Sequence, residues 1–241
     1  MAAPTVRTTA SGRLATVVFD NAARGNAFTE PALVQLVTAL EDAAAGSATS
    51  VVRLVMAGRN FCAGWDTTDF SRLASAPAEE VADSLRDNDR LLGRIHALPV
   101  PVVAAVRGRV AGFGVGLLAH LHVPIAAHDA TLALPEVVYG ICPGGVLHTL
   151  LRRVPRPAAE LLVLSGSVVD ADAMLRWGLV ASVEPSTGVD AATERTAEAL
   201  AAHPPSVVRA IRAATEATLS AGSAEPAYAA AAASIVRGGV S

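Results

Sequence analysis

The chain has 241 residues, of which 52% are apolar and 17% are charged, and its formal net charge is −3. This length and apolar share suffice for a buried core and exclude a disordered protein. The near-neutral charge argues against nucleic-acid binding, for which a basic patch is expected.

Neither a membrane span nor a secretory leader is predicted. The longest apolar runs fall short of the roughly 18 residues that a membrane-spanning helix needs. The first residues, MAAPTVRTTASGR, lack the apolar core of a signal peptide. Two cysteines are too few for a disulfide framework. We therefore expect the chain to begin near Met1 and to act in the cytoplasm.

Predicted strands and helices alternate over the first two thirds of the chain, which indicates an α/β fold with parallel strands. In chain order they are a hairpin at 4–19, a helix at 30–44 capped by Thr29, a strand at 51–56, a helix at 78–97, a strand at 102–106, a glycine-rich turn at 108–116 opening a helix to about 121, and strands at 123–127 and 131–134. The last third is predicted to be helical, at 146–152, 157–164, 170–176, 189–202, 204–219 and 224–236.

Two turns that follow buried strands could present bare backbone amides. They are FCAGWD at 61–66 and GRVAGFGVG at 108–116. Glycine lets a ligand approach the backbone closely, and the start of a helix leaves N–H groups unpaired. Two such amides could converge on one developing oxyanion, whereas the alternative is that both turns serve packing only. A dinucleotide site is not supported, because the third glycine and a suitably placed acidic residue are missing.

Four ordered motifs resemble the signatures of the crotonase, or enoyl-CoA hydratase/isomerase, superfamily. They are Phe61–Asp66, Ala104–Gly114, Leu134-Pro135-Glu136 with Gly140 and Pro143–Gly145, and Leu164–Gly166 through Trp177–Val180. Asn26-Ala27-Phe28 is similar to the stretch where the family binds CoA. Order and spacing agree over residues 14–215, and four motifs together are far more specific than any one.

The resemblance implies an α/β fold in which ββα units form a right-handed spiral over residues 1–166. A helical region at 167–241 would then pack the chain into a homotrimer or a homohexamer. It also implies that an acyl thioester places its carbonyl between the backbone N–H groups of Trp65 and Phe113. These donors would stabilise an enolate, so neither a cofactor nor a metal is expected.

The acid–base residue implied by the resemblance is Glu136. Hydratases of the family use a second glutamate, and this chain has Gly116 at that position. One carboxylate suffices to move a double bond between the β,γ and α,β positions, so isomerisation is the leading prediction. A hydratase, a decarboxylase or C–C bond enzyme, and a non-catalytic scaffold remain alternatives. A carboxylate introduced at position 116 is predicted to raise hydration.

The ligand is predicted to be an acyl thioester of CoA or of an acyl carrier protein. All 19 basic residues are Arg, so a side-chain cation that meets its phosphates must be Arg. The predicted binding residues are Arg24, Asn26, Ala27, Ala63, Gly64 and Gly112. Lower-ranked candidates near the site are His120, His148, Tyr139 and Cys62.

Overall fold

The structure is a computed structural model that describes residues 3–73 and 75–238. Within these residues, nine strands form two sheets. The strands are β1 (Thr5–Ser11), β2 (Leu14–Asp20), β3 (Val51–Met56), β4 (Val102–Val106), β5 (Arg109–Ala111), β6 (Val123–Ala127), β7 (Thr131–Ala133), β8 (Val169–Asp170) and β9 (Ser182–Glu184).

The larger sheet has the strand order β1-β2-β3-β4-β6-β9, and its pairs are parallel apart from the β1–β2 hairpin. The smaller sheet has the order β5-β7-β8. Each residue of β4 is buried, which explains why this central strand has the continuous apolar sequence VVAAV.

Ten helices surround the sheets in the described part of the chain. They are α1 (Glu30–Ala45), α2 (Thr67–Leu73), α3 (Ala78–His96), α4 (Phe113–Ala119), α5 (Gly144–Arg153), α6 (Arg156–Ser165), α7 (Ala171–Arg176), α8 (Val189–Ala201), α9 (Pro205–Ala221) and α10 (Glu225–Gly238). The cap of α1 is as predicted, because the Thr29 hydroxyl accepts a hydrogen bond from the Ala32 N–H at 3.4 Å.

The chain alternates between the two sheets before it enters a helix. It runs from β4 in the larger sheet to β5 in the smaller sheet and then into α4. It repeats this path from β6 through β7 to a 3-10 turn at Pro135–Tyr139 and then α5. This confirms the predicted α/β architecture of ββα units. It also brings the start of α4 and the 3-10 turn to the ends of neighbouring strands, since β5 pairs with β7.

Several short elements were not predicted from the sequence. The turn at 108–116 contains β5, and its helix ends at Ala119 rather than near residue 121. α2, β8, β9 and the 3-10 turn were also missed. Elements of two to seven residues carry too little periodicity to detect, and the short strands exist only because distant strands pair with them.

The segment after residue 166 contributes to both the sheets and the helical C-terminal region. β8 pairs with β7 and β9 pairs with β6, and α8 packs against β3, β4 and β6. The helices α9 and α10 pack mainly on each other. Arg209 ties α9 to the end of α1 by donating to the carbonyls of Ala44 and Gly46, at 2.7 and 2.8 Å. No helix in the described residues is long and apolar enough to cross a membrane.

Candidate active site

The two predicted turns lie directly against each other. The Ala111 N–H donates to the Cys62 carbonyl at 2.9 Å. A Cβ on Gly64 would lie 3.2 Å from the Ala111 carbonyl oxygen. A Cβ on Gly114 would lie 2.8 Å from both the Cβ and the carbonyl oxygen of Cys62. Glycine at position 114 therefore permits the close approach of α4 to the turn at 61–66.

Trp65 and Phe28 form an isolated parallel β-bridge, and the backbone N–H of Trp65 points away from Phe28. Phe28 donates its N–H to the Gly64 carbonyl at 3.0 Å, and the Asp66 N–H donates to the Phe28 carbonyl at 2.7 Å. In such a parallel bridge the N–H and C=O of the middle residue, Trp65, face the opposite side. Within the described residues the Trp65 N–H has no acceptor.

The N–H of Phe113 is also unpaired within residues 3–73 and 75–238. Phe113 is the first residue of α4, where N–H groups have no acceptor inside the helix. The preceding Gly112 has a φ of 52°, a conformation that favours glycine, and its own N–H donates to the Ala133 carbonyl at 3.1 Å. This fixed turn aims the first N–H groups of α4 away from the smaller sheet.

Aromatic side chains hold the two donor residues side by side. The rings of Trp65 and Phe113 meet edge to face, with centroids 5.0 Å apart. Phe113 also contacts Phe28 at 5.6 Å, and Phe28 stacks on Phe19 at 4.4 Å. Since Phe19 and Phe28 are fully buried, this row of rings anchors both donors to the core.

Glu136 lies beside the turn that presents the Phe113 N–H. Its Oε1 is 2.9 Å from the point where a Cβ on Gly112 would stand, and that point is 3.9 Å from the Gly64 Cα. The carboxylate thus lies against Gly112, on the turn that leads into α4. The 3-10 turn that carries Glu136 is closed by Gly140 and by a hydrogen bond from the Ile141 N–H to the Glu136 carbonyl, 3.0 Å long.

The carboxyl group of Glu136 is in an environment that favours its protonated form. Burial raises its pKa above the ordinary value of 4.5, and a hydrogen bond from its own backbone N–H opposes that rise. Its Oε2 is buried and has no hydrogen-bond partner in the described part of the chain. A partly desolvated carboxyl with a free oxygen is suited to accepting and returning a proton.

Gly116, where a second carboxylate was sought, faces apolar side chains. A Cβ built on it would lie 3.4 Å from Leu92 Cδ1 and 3.5 Å from Val146 Cγ2. Both distances are ordinary van der Waals contacts, so a Cβ fits but anything longer meets these two side chains. Position 116 therefore contributes no carboxylate to the site.

Two of the predicted binding residues, Arg24 and Asn26, have side chains that already bind other parts of the protein. Arg24 is exposed enough to meet a ligand, but it already forms a 2.8 Å ion pair with the buried Asp66. Asn26 is fully buried, and its amide bonds to the carbonyls of Ala57 and Asn60, at 2.7 and 2.8 Å. The Asn26 side chain consequently orders the loop and offers no free group to a ligand.

Backbone contacts place the remaining predicted binding residues. The Ala63 N–H donates to the Gly25 carbonyl at 2.9 Å, and the Ala27 carbonyl accepts from Asn21 Nδ2 at 2.7 Å. The first bond joins the loop before α1 to the turn at 61–66, and the second closes the loop on itself. The loop therefore lies next to the Trp65 donor, where the resemblance places the ligand.

The lower-ranked candidates lie away from the carboxyl group or are enclosed by the core. His120 follows the last residue of α4, at the opposite end from Phe113, and its Nδ1–H donates to the Gly116 carbonyl at 2.8 Å. Tyr139 and His148 are exposed. Cys62 is fully buried, and burial raises the pKa of its thiol to about 12. Cys62 therefore serves packing against Gly114.

Sequence reasoning missed three residues that shape this site. Phe28 supplies the backbone bridge that orients Trp65, although the sequence indicated only its likeness to a CoA-binding stretch. Leu92 and Val146 flank Gly116 from α3 and α5. Their positions on apolar helix faces gave no sign of this role, because helical periodicity shows which side is buried but not which neighbour it meets.

Comparison with known proteins agrees with this geometry. A sequence model of the enoyl-CoA hydratase/isomerase family matches residues 9–237. The chain is 32% identical to the 2,3-dehydroadipyl-CoA hydratase of Escherichia coli K12, an alignment that covers 88% of this chain and 84% of that protein.

Two further relatives come from mycobacteria. The chain is 34% identical to the (7aS)-7a-methyl-1,5-dioxo-2,3,5,6,7,7a-hexahydro-1H-indene-carboxyl-CoA hydrolase of Mycobacterium tuberculosis, over 78% of this chain and 74% of that protein. A crystal structure of an enoyl-CoA hydratase from Mycobacterium smegmatis superposes with a TM-score of 0.87 at 26% identity, covering 99% of this chain and 92% of that one.

Proposed function

This chain belongs to the enoyl-CoA hydratase/isomerase family of the crotonase superfamily, and we propose that it isomerises the double bond of an enoyl thioester through an enolate. The backbone N–H groups of Trp65 and Phe113 form the oxyanion hole. Glu136 is the single acid–base residue. The position of the Glu136 carboxyl, against Gly112 and next to the Phe113 donor, is the observation that carries this proposal.

The oxyanion hole supplies the electrostatic part of catalysis. When the thioester carbonyl accepts both N–H groups, negative charge that develops on its oxygen is stabilised by donors that need no rearrangement. The aromatic contact between Trp65 and Phe113 fixes those donors relative to each other. Losing one donor of such a pair typically lowers turnover by about 10²–10³-fold.

Glu136 moves one proton in two steps. Its carboxylate removes the proton from C2 of a 3-enoyl thioester, and the electron pair of that C–H bond spreads over the dienolate. The protonated carboxyl then gives the proton to C4, which leaves the double bond between C2 and C3. Burial raises the pKa of Glu136, which makes its carboxylate a stronger base for removal of the C2 proton. No atom is gained or lost, so a second acid is not needed.

Hydration of a 2-enoyl thioester is the second candidate. It is favoured by the names of two relatives, the hydratases of E. coli and M. smegmatis. Against it stands Gly116, which leaves Glu136 to activate water and to supply the C2 proton in turn. The relative in M. tuberculosis is named a carboxyl-CoA hydrolase, which makes hydrolysis a third candidate.

The carrier of the acyl group is proposed to be CoA, which the names of these relatives support. Arg24 is the cation nearest the loop before α1, and exchange of its Asp66 partner for a phosphate would free it to bind the carrier. A carrier-protein thioester is the alternative partner, and neither carrier needs a cofactor.

The proposal is tested by assaying a panel of 3-enoyl and 2-enoyl CoA thioesters with the wild type and Glu136→Gln. We expect the wild type to convert 3-enoyl to 2-enoyl thioesters. The variant should lose about 10²–10⁴-fold in turnover, because the amide cannot transfer the proton, while thioester binding stays within a few-fold. Wild-type activity in the folded variant would exclude Glu136 as the acid–base residue.

A further inference from the structure

We propose that Leu92 and Val146 determine which reaction this site performs, because they fill the space where a second acid and its water would have to stand. This inference rests on the proposed function, since it concerns the fate of the enolate that Glu136 forms. Neither side chain contributes chemistry of its own. Their effect is to exclude water from the reacting carbons, so that the proton returns to the hydrocarbon chain.

The geometry of α4 relates the two side chains to Glu136. Gly112 directly precedes α4 and Gly116 is the fourth residue of that helix, so their backbones are about one helical turn apart, although the φ of 52° at Gly112 gives its Cβ position a direction of its own. Glu136 Oε1 occupies the Cβ direction of Gly112, at 2.9 Å. Leu92 and Val146 occupy the corresponding direction of Gly116, at 3.4 and 3.5 Å. The carboxyl group therefore packs at the residue before α4, and the apolar pair packs about one turn further along the helix.

Packing keeps the apolar pair in place from two different helices. Leu92 belongs to α3 and is only 5% exposed, and Val146 belongs to the first turn of α5 and packs on the same core. Helix α5 contacts both α3 and α4. Neither side chain offers a hydrogen-bond partner to a water molecule, and apolar spaces tend to stay dry.

The absence of a side chain at Gly116 leaves room for the side chains of Leu92 and Val146. The space beside Gly116 admits a Cβ at ordinary contact distance, and a longer side chain that extends toward Leu92 or Val146 would meet them. A carboxylate introduced there alone would thus be displaced from the site or would strain the helix. Removing two methyl groups from Val146 opens the required volume while leaving Leu92, the more buried of the pair, in place.

The test compares Gly116→Glu, Val146→Ala and the double variant, with Gly116→Gln/Val146→Ala as the matched control. The readout is hydration of a short 2-enoyl CoA thioester, with folding checked by circular dichroism. We expect the double variant to hydrate at least about tenfold faster than Gly116→Glu alone and than the glutamine control, given the usual value of a positioned acid or base.

Two results would overturn the proposal. Equal hydration by Gly116→Glu and the double variant would mean that Val146 does not limit the space. A folded double variant with no gain over the glutamine control would mean that the apolar pair does not limit hydration. Since this comparison does not require isomerase activity of the wild type, its failure is separable from failure of the proposed function.

A second measurement covers the case in which the double variant does not fold. The 3-enoyl thioester is isomerised in D₂O by the wild type, Val146→Ala and Val154→Ala, which makes the same change at a buried position after α5. We expect the fraction of product that carries solvent deuterium to rise at least about twofold only in Val146→Ala, as water gains access. An unchanged fraction would contradict a water-excluding role for Val146.

Discussion

At the residue scale, the partly buried position of the Glu136 carboxyl group suits proton transfer but lowers the stability of the folded protein. Its carboxyl group is partly desolvated and leaves Oε2 without a hydrogen bond in the described residues. A carboxylate in such a place destabilises the folded state at neutral pH, because its charge is better solvated in the unfolded chain. Strain of this kind is expected where a side chain must exchange a proton with a ligand.

This placement predicts a pH-dependent gain in stability for Glu136→Gln. The pKa of Glu136 is raised above 4.5 on folding, so the folded state binds the proton more tightly than the unfolded state. The stability associated with this group is present below pH 4.5 and is lost as pH rises through the folded pKa. Glutamine does not titrate, so the variant does not lose this stability as the pH rises.

We expect thermal unfolding of Glu136→Gln at pH 8 to occur roughly one to two degrees above that of the wild type. The difference should shrink below pH 4.5, where both folded and unfolded carboxyls are protonated. A constant difference across this range would show that the change in stability comes from packing and not from the raised pKa.

The sequence drew attention to Glu136, Trp65 and Phe113 because they stand in motifs with fixed spacing. It did not predict that the Asn26 side-chain amide would donate its hydrogen bonds to backbone carbonyls of the protein. It also did not predict that Leu92 would face Gly116. Both outcomes depend on which distant segments meet. Linear patterns specify a buried side, whereas the identity of the neighbour is fixed only by tertiary packing.

At the scale of elements, the site depends on how closely α4 approaches the turn at 61–66. Gly114 and Gly116 lie on this short helix two residues apart, but they have different surroundings. Gly114 faces the backbone and side chain of Cys62, whereas Gly116 faces two side chains at normal contact distance. Only Gly114 is therefore required for the contact between the two turns.

The two glycines provide a matched pair of alanine variants. Gly114→Ala should cost about 1–3 kcal/mol in the free energy of unfolding, because its Cβ would overlap the Cys62 carbonyl. Gly116→Ala should be neutral or stabilising by up to about 1 kcal/mol, as expected for alanine in a helix. Urea denaturation measures both values, and equal losses would contradict the assigned surroundings.

Sequence patterns predicted the ends of most of the longer helices and strands to within two residues. They did not predict short strands that form only by pairing with a strand distant in the sequence. The strand at Val51–Met56 was predicted with its observed ends because its apolar run is interrupted only by Arg53. β5 was predicted as part of a turn, since its three residues RVA form a strand only by pairing with β7 and by bridging to Cys62.

At the scale of the whole molecule, exposed apolar side chains are concentrated in two regions. Val138, Leu164 and Val168 are about 70% exposed near the 3-10 turn that carries Glu136. Ile211, Leu219 and Tyr228 are 60–72% exposed on α9 and α10. Isolated exposed apolar residues are ordinary, but grouped ones mark surfaces that another molecule covers.

These surfaces lead us to predict a homotrimer or a homohexamer, so light scattering should give a mass of three or six times 24.5 kDa. Leu164→Glu, which places a charge in the first region, should shift the assembly toward the monomer. The control Gln35→Glu, on the exposed side of α1, should not. A monomeric wild type at micromolar concentration would contradict the prediction.

The central claim is that Glu136 and the two backbone donors form an enolate from an acyl thioester. The most direct measurement is exchange of the C2 protons of a short acyl-CoA for solvent deuterium, followed by NMR with the wild type and Glu136→Gln. Exchange at C2 reports the enolate whatever product follows. The account predicts exchange with the wild type and a loss of about 10²–10⁴-fold in the variant. Exchange that persists unchanged in a folded Glu136→Gln variant would contradict it.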